Sequence, residues 1–211
     1  MKESKSDIGR PGTDSTADTQ DPAGCRGETA KTKILEWNRR FSAYRPASWD
    51  RLPDIELYMD QVVTLLDRQL ATFRNSDEDK MITSSMINNY TKDRVIPRAE
   101  SKKYSKEHIA LLLIVCSLKK VMSMPDLSTM LREFRLNTDD GIERFYELFG
   151  DVQIKGIEKT SNIVAEALKE APDEPGETLL RNMALQLAVE AQMQCIAAEQ
   201  ILSLLKIENE R

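Results

Sequence analysis

Cysteine and histidine are scarce: three and one in 211 residues. Cys25, Cys116 and Cys195 lie far apart, are odd in number and form no C-x-x-C pair. A structural zinc site needs four clustered nitrogen or sulfur ligands, so no metal site is expected. The same scarcity argues against a disulfide framework and fits a reducing, cytoplasmic setting. Glycine is absent from Glu28 to Asp140, and four of the eight glycines fall in the first 27 residues. A phosphate-cradling loop of the G-x-G-x-x-G or Walker type needs glycine for close backbone approach, and none is found. No apolar run reaches the roughly 18 residues that span a bilayer. Met1 to Arg10 carries no apolar stretch like that of a signal peptide, so no membrane partner is expected.

Thirty basic residues stand against 35 acidic ones, a net charge of −5. Residues 1–31 contain no aromatic side chain and few aliphatic ones. They cannot bury enough surface to offset chain entropy and read as a disordered tail. From Thr32 the pattern is helical. Leu35, Trp37, Phe41 and Tyr44 predict a first helix ended by Arg45-Pro46. Asp54 is placed to cap a second, with Ile55, Tyr58, Val62, Leu66, Leu70 and Phe73 on one face. Thr83 and Ser84 are candidate caps for a short helix over 85–92. Ser105 can cap a helix over 106–122, and Met124-Pro125-Asp126 opens one reaching about Phe134. Two longer helices are expected over 142–171, broken near Gly150, and over 177–207. No run alternates well enough to predict a sheet. The class is all-α, with room for a two-strand wing.

The stretch from Ile82 to Leu131 carries the chemistry. It reads as a capped short helix, a tight exit, a basic loop, a capped longer helix and another short one. Asn88 and Asn89 lie on the short helix, and asparagine can bond adenine bidentately in the major groove. Ser84, Ser85 and Lys92 can reach phosphates. The loop after Pro97 brings Arg98, Lys102 and Lys103, followed by Tyr104. Basic loops beside a groove-reading helix hold the nucleic-acid backbone and make affinity salt-dependent. From Thr83 to Lys120 eight basic residues face three acidic ones, a net of +5, which leaves −10 for the rest of the chain. A basic island in an acidic protein is what a nucleic-acid module with a separate partner region shows.

This segment resembles the DNA-binding domain of MerR-type regulators, a winged helix-turn-helix. The resemblance rests on Thr83-Ser84, Tyr90, Val95-Ile96-Pro97, the basic stretch Arg98 to Lys103, Tyr104-Ser105-Lys106-Glu107-His108-Ile109, and Ser123-Met124-Pro125-Asp126-Leu127. A second resemblance covers Trp49 to Phe134. There Trp49, Leu52 to Val62, Met86-Ile87-Asn88-Asn89-Tyr90 and Lys103-Tyr104-Ser105 are similar to a bacterial family of unknown function described as MerR-like. That family implies no activity, substrate or cofactor. MerR proteins carry Arg-Tyr where this chain has Asn88-Asn89, and glycine where Arg94 stands. Glycine there suits a left-handed helix exit, which arginine fits less well. The wing also lacks its usual glycine, which implies an irregular tip.

In the last helix Leu180, Ala184, Leu187, Ala191, Gln194, Ala198, Ile201 and Leu205 alternate at spacings of four and three, a heptad seam. Leu179, Met183, Cys195 and Leu202 widen the apolar stripe. The seam can pair with the same helix of a second subunit, or fold back on residues 142–171. The short Pro-Gly loop favours the hairpin, and two-fold operators make a homodimer plausible.

Three regions result: the tail 1–31, a helix-turn-helix domain 32–136 and a C-terminal helical hairpin or bundle 137–211. The expected function is sequence-specific binding of double-stranded DNA by a transcriptional regulator. The alternative is a protein-interaction module of the same shape. His108 and Cys116 read as structural, Cys116 as inert core. No nucleophile, base and oxyanion hole come together, so no catalysis and no cofactor are expected, and the residues name no effector.

Overall fold

The computed structural model describes residues 29–74, 80–136 and 141–208. Most of the tail, 1–28, lies outside the described residues. The elements run α1 (Ala30–Ser42), a 3-10 turn (Trp49–Arg51), β1 (Leu57–Tyr58), α2 (Met59–Gln69) and a second 3-10 turn (Ala71–Phe73). They continue with α3 (Ser84–Lys92), β2 (Lys103–Tyr104), α4 (Lys106–Leu118), α5 (Met124–Met130), α6 (Arg132–Leu136), α7 (Gly141–Lys169) and α8 (Glu177–Glu208). The described residues are therefore mostly helical, with one small sheet.

α4 is the central element. Ile109 to Cys116 are all buried. A helix that is apolar on every side must be covered on every side. α2, β2 and α7 pack against it. Val62 and Leu66 of α2, Ile87 and Tyr90 of α3, Leu127 of α5, and Ile142 and Tyr146 of α7 complete a single core. That core runs from Trp49 to Tyr146, so the division at 136/137 does not separate two cores. Trp49 and Tyr146 pin its ends: the Trp49 N–H donates to Glu147 (2.9 Å) and the Tyr146 hydroxyl donates to the Ala47 carbonyl (2.9 Å). The distal half of α7 carries α1, where Asn38 donates to the Ser161 carbonyl (3.0 Å).

Several sequence expectations change. α1 begins at Ala30, inside the segment assigned to the tail, because Thr29 caps it by accepting from the Thr32 N–H (3.1 Å). Asp54 caps nothing. It pairs with Lys106 (2.6 Å), and α2 starts five residues later, where the Tyr58 N–H donates to Gln61 (2.9 Å). α4 stops at Leu118 rather than Met122, and the turn that follows brings Ser123 to cap α5. α5 ends at Met130, with α6 a separate short helix. α7 is continuous through Gly150, since packing on α4 at one end and α1 at the other offsets a glycine cost of about 1 kcal/mol. α7 and α8 do not zip into a hairpin. α8 packs mainly on α5, where Leu202 is buried and Lys206 pairs with Asp126 (2.7 Å).

The sheet is antiparallel, with Leu57 opposite Tyr104 and Tyr58 opposite Lys103. The strand that leaves the basic loop thus pairs with the residues that precede α2 and also bridges back to Glu100 of its own loop. The loop closes separately: the Lys103 N–H donates to the Glu100 carbonyl (2.8 Å), with Ser101 at φ 48° and Lys102 at φ 65°. Two consecutive left-handed residues make the two-residue turn of a hairpin, normally built from Asn-Gly. The tip is therefore regular although it lacks glycine.

Candidate nucleic-acid interface

α3 is a nine-residue helix with a clean division of faces. Thr83 caps it by accepting from the Met86 N–H (3.3 Å). Ile87 and Tyr90 are buried against the core, and burial raises the Tyr90 hydroxyl pKa well above its usual value. Ser85, Asn88, Asn89 and Lys92 are exposed. Their spacing of three, four and seven residues places them on one stripe, about opposite the buried pair. Ser84 sits half-buried at the edge of that stripe.

The loop beyond α3 contributes cations. Arg98 and Lys102 are exposed. Lys103 is half-buried in β2 and paired with Glu56 (3.4 Å). Tyr104 stands apart from the expected set. It is 5 % exposed, belongs to the core and sets its ring edge-on to His108 at 5.7 Å, so it packs rather than contacts a surface ligand. The basic island is also thinned by structural duties. Lys106 pairs with Asp54 and lies 5.0 Å over the Trp49 ring, and Lys119 donates to the Met81 carbonyl (2.7 Å). Among the described residues Lys92, Arg94, Arg98, Lys102 and Lys120 form no ion pair. Arg94 was not singled out as a contact by its residue type. Its signal was the arginine standing where a left-handed helix exit wants glycine.

His108 fastens the loop to α4. The Ser105 N–H donates to Nδ1 (3.3 Å), so the ring proton sits on Nε2, which donates to the Arg98 carbonyl (3.2 Å). Burial depresses the imidazole pKa below its usual 6.5, while the Arg98 bond and Glu107, Glu100 and Glu56 oppose that shift. The neutral ring thus holds the root of the basic loop at the start of the central helix.

α8 presents a different surface. Of the seam, Leu180, Leu187 and Ala198 are half-buried, whereas Ala184, Ala191, Ile201 and Leu205 are exposed. A second stripe, Leu185, Val189, Met193, Ile196 and Leu204, is exposed as well, each residue at 45 % or more. Heptad counting passed over that stripe because its steps are mostly four. Among the described residues no three His, Cys, Asp or Glu side chains gather to hold a metal ion, and no helix is long and apolar enough to cross a membrane.

A family described as a domain of unknown function (DUF1836) matches residues 47–149, just under half of the chain. No curated protein and no solved structure matches the chain. The matched segment coincides with the core from Trp49 to Tyr146 and contains α3 and the basic loop; α1 and α8 lie outside it.

Proposed function

We propose that the protein is a sequence-specific DNA-binding protein, a transcriptional regulator that reads the major groove with α3 and holds the backbone with the loop 98–103. The observation that carries this reading is the outward stripe of Ser85, Asn88, Asn89 and Lys92 on a helix whose opposite face is buried. An α-helix fits the major groove, and asparagine amides can bond adenine there. The β1–β2 pair joins the residues ahead of α2 to those behind the basic loop, which is compatible with the winged helix-turn-helix implied by the MerR resemblance and supports the reading. Cations without carboxylate partners supply the sequence-independent part of binding.

The test is affinity for duplexes selected from a random pool. Asn88→Ala or Asn89→Ala relaxes preference at one base position, with a cost of about 1–3 kcal/mol there, and Lys102→Ala weakens all sequences alike. Unchanged affinity in all three variants defeats the reading, as does the absence of salt-dependent binding. A protein-interaction module is the second reading, and the exposed apolar stripe of α8 favours it. In the DNA-binding reading the same helix joins two copies of the chain, as two-fold operators require.

A further inference from the structure

α3 ends in a left-handed turn that an arginine occupies. The Val95 N–H donates to the Tyr90 carbonyl (2.8 Å) and the Arg94 N–H to the Thr91 carbonyl (3.2 Å). These are the two bonds of a Schellman cap. Arg94 sits at its left-handed position with φ 54°. Glycine adopts this conformation freely, whereas a Cβ crowds the neighbouring carbonyl. The Ser128 hydroxyl donates to the Arg94 carbonyl (3.4 Å), so the strained backbone is tied to α5. Such strain persists where the surroundings over-determine it, and it concentrates at binding sites. The loop that follows holds two more left-handed residues, Ser101 and Lys102.

Arg94 borders a concavity of about 410 Å³ lined by Thr91, Lys92, Arg94, Ile96, Pro97 and Arg98. Three of these six residues are cations, and no carboxylate is among them. Like charges around one hollow repel, and an anion seated between them relieves the repulsion. We propose that this hollow is a phosphate site and that Arg94 is its central ligand, taking one backbone phosphodiester where α3 leaves the groove. The proposal rests on the DNA-binding reading and adds to it a contact residue and a place. Arginine suits the role because its guanidinium can grip two phosphate oxygens at once. A free phosphate offers the same chemistry.

Arg94→Gly and Arg94→Ala test the site against a labelled duplex selected from a random pool. Both variants should bind every duplex about 5- to 20-fold more weakly, and the slope of log affinity against log salt should fall by about one. Arg94→Gly should also raise Tm by about 2–4 °C, because strain is relieved, whereas Arg94→Ala should not. Weaker binding by a more stable protein cannot come from misfolding. If the duplex binds wild type and both variants equally, the phosphate site is wrong while the DNA-binding reading stands. A loss confined to one base position overturns it too, since Arg94 would then read sequence. If wild type binds no duplex, the DNA-binding reading fails, and inorganic pyrophosphate decides the site. A Tm rise in wild type that is lost in Arg94→Gly leaves a free-phosphate site; no rise overturns it.

Discussion

His108 shows how much one side chain can hold. It accepts from the Ser105 N–H at the start of α4 and donates to the Arg98 carbonyl at the root of the basic loop. Only the neutral ring can do both. Burial lowers its pKa from 6.5, so as pH falls the unfolded chain takes up this proton before the folded chain does. By linkage, the contribution is level above about pH 6.5 and declines below it, through the depressed folded pKa. Tm should therefore fall as the pH is lowered below about 6.5, and His108→Gln should flatten that fall. A wild-type Tm that stays constant as the pH is lowered, or an equal slope in the variant, would refute the assignment. At this scale the sequence was informative wherever a residue acts on its own neighbours. Thr83 caps α3 as its type and position imply, and Arg94 lies in the left-handed region that its departure from glycine pointed to. It was uninformative where a partner comes from far along the chain. Asp54 looks like a cap and is instead bonded to Lys106, 52 residues away. Tyr104 lies next to two lysines yet turns into the core, because strand alternation sends Lys103 and Tyr104 to opposite faces.

Helices were legible from periodicity because their apolar faces repeat at the helical spacing, and the starts of α3, α4, α5 and α8 fall within a residue of expectation. Their ends were harder, since the last turn depends on what the next segment needs. α4 yields its final turn to the cap of α5. The pair of strands among the described residues was not legible: two residues per strand are too few to alternate. α7 exposes the weakness of glycine as a break signal. Its Gly150 and Gly156 both lie inside one uninterrupted helix, held by tertiary contacts at its two ends. A Cβ at Gly156 would meet nothing within 4 Å, and one at Gly150 would touch Pro46 at an ordinary 3.5 Å. Neither glycine is needed for space, so each carries only its entropic cost. Gly156→Ala should raise the unfolding free energy by about 0.5–1 kcal/mol, measured by chemical denaturation at constant m-value. A decrease would mean that α7 bends at Gly156 for a reason its packing does not show.

At the scale of the whole molecule the uncovered apolar surface is α8. A 32-residue helix spans about 48 Å, and this one is fastened mainly at its far end, through Leu202 and the Lys206–Asp126 pair. Between Arg181 and Lys206 its only charged residues are Glu190 and Glu199. A helix that is apolar on more than one side is unfavourable in water unless something covers it. α7 packs mainly on α1 and α4 and leaves the exposed stripe of α8 uncovered. A second copy of the chain would supply a matching surface by symmetry, since an isologous pair needs no second sequence. The two apolar sides then make different predictions. Antiparallel pairing along the exposed stripe sets Leu185 near Leu204 of the second copy and Met193 near its Ile196, burying the four-step stripe rather than the heptad seam. Leu185→Glu with Met193→Glu should convert a dimer to a monomer in sedimentation equilibrium, with the helical content of the chain unchanged. Ala184→Glu with Ala191→Glu, on the seam, should leave the dimer intact. If the seam pair dissociates the dimer and the stripe pair does not, the heptad face is the interface. A wild-type chain that is monomeric throughout the micromolar range would remove self-pairing and leave α8 for a different protein.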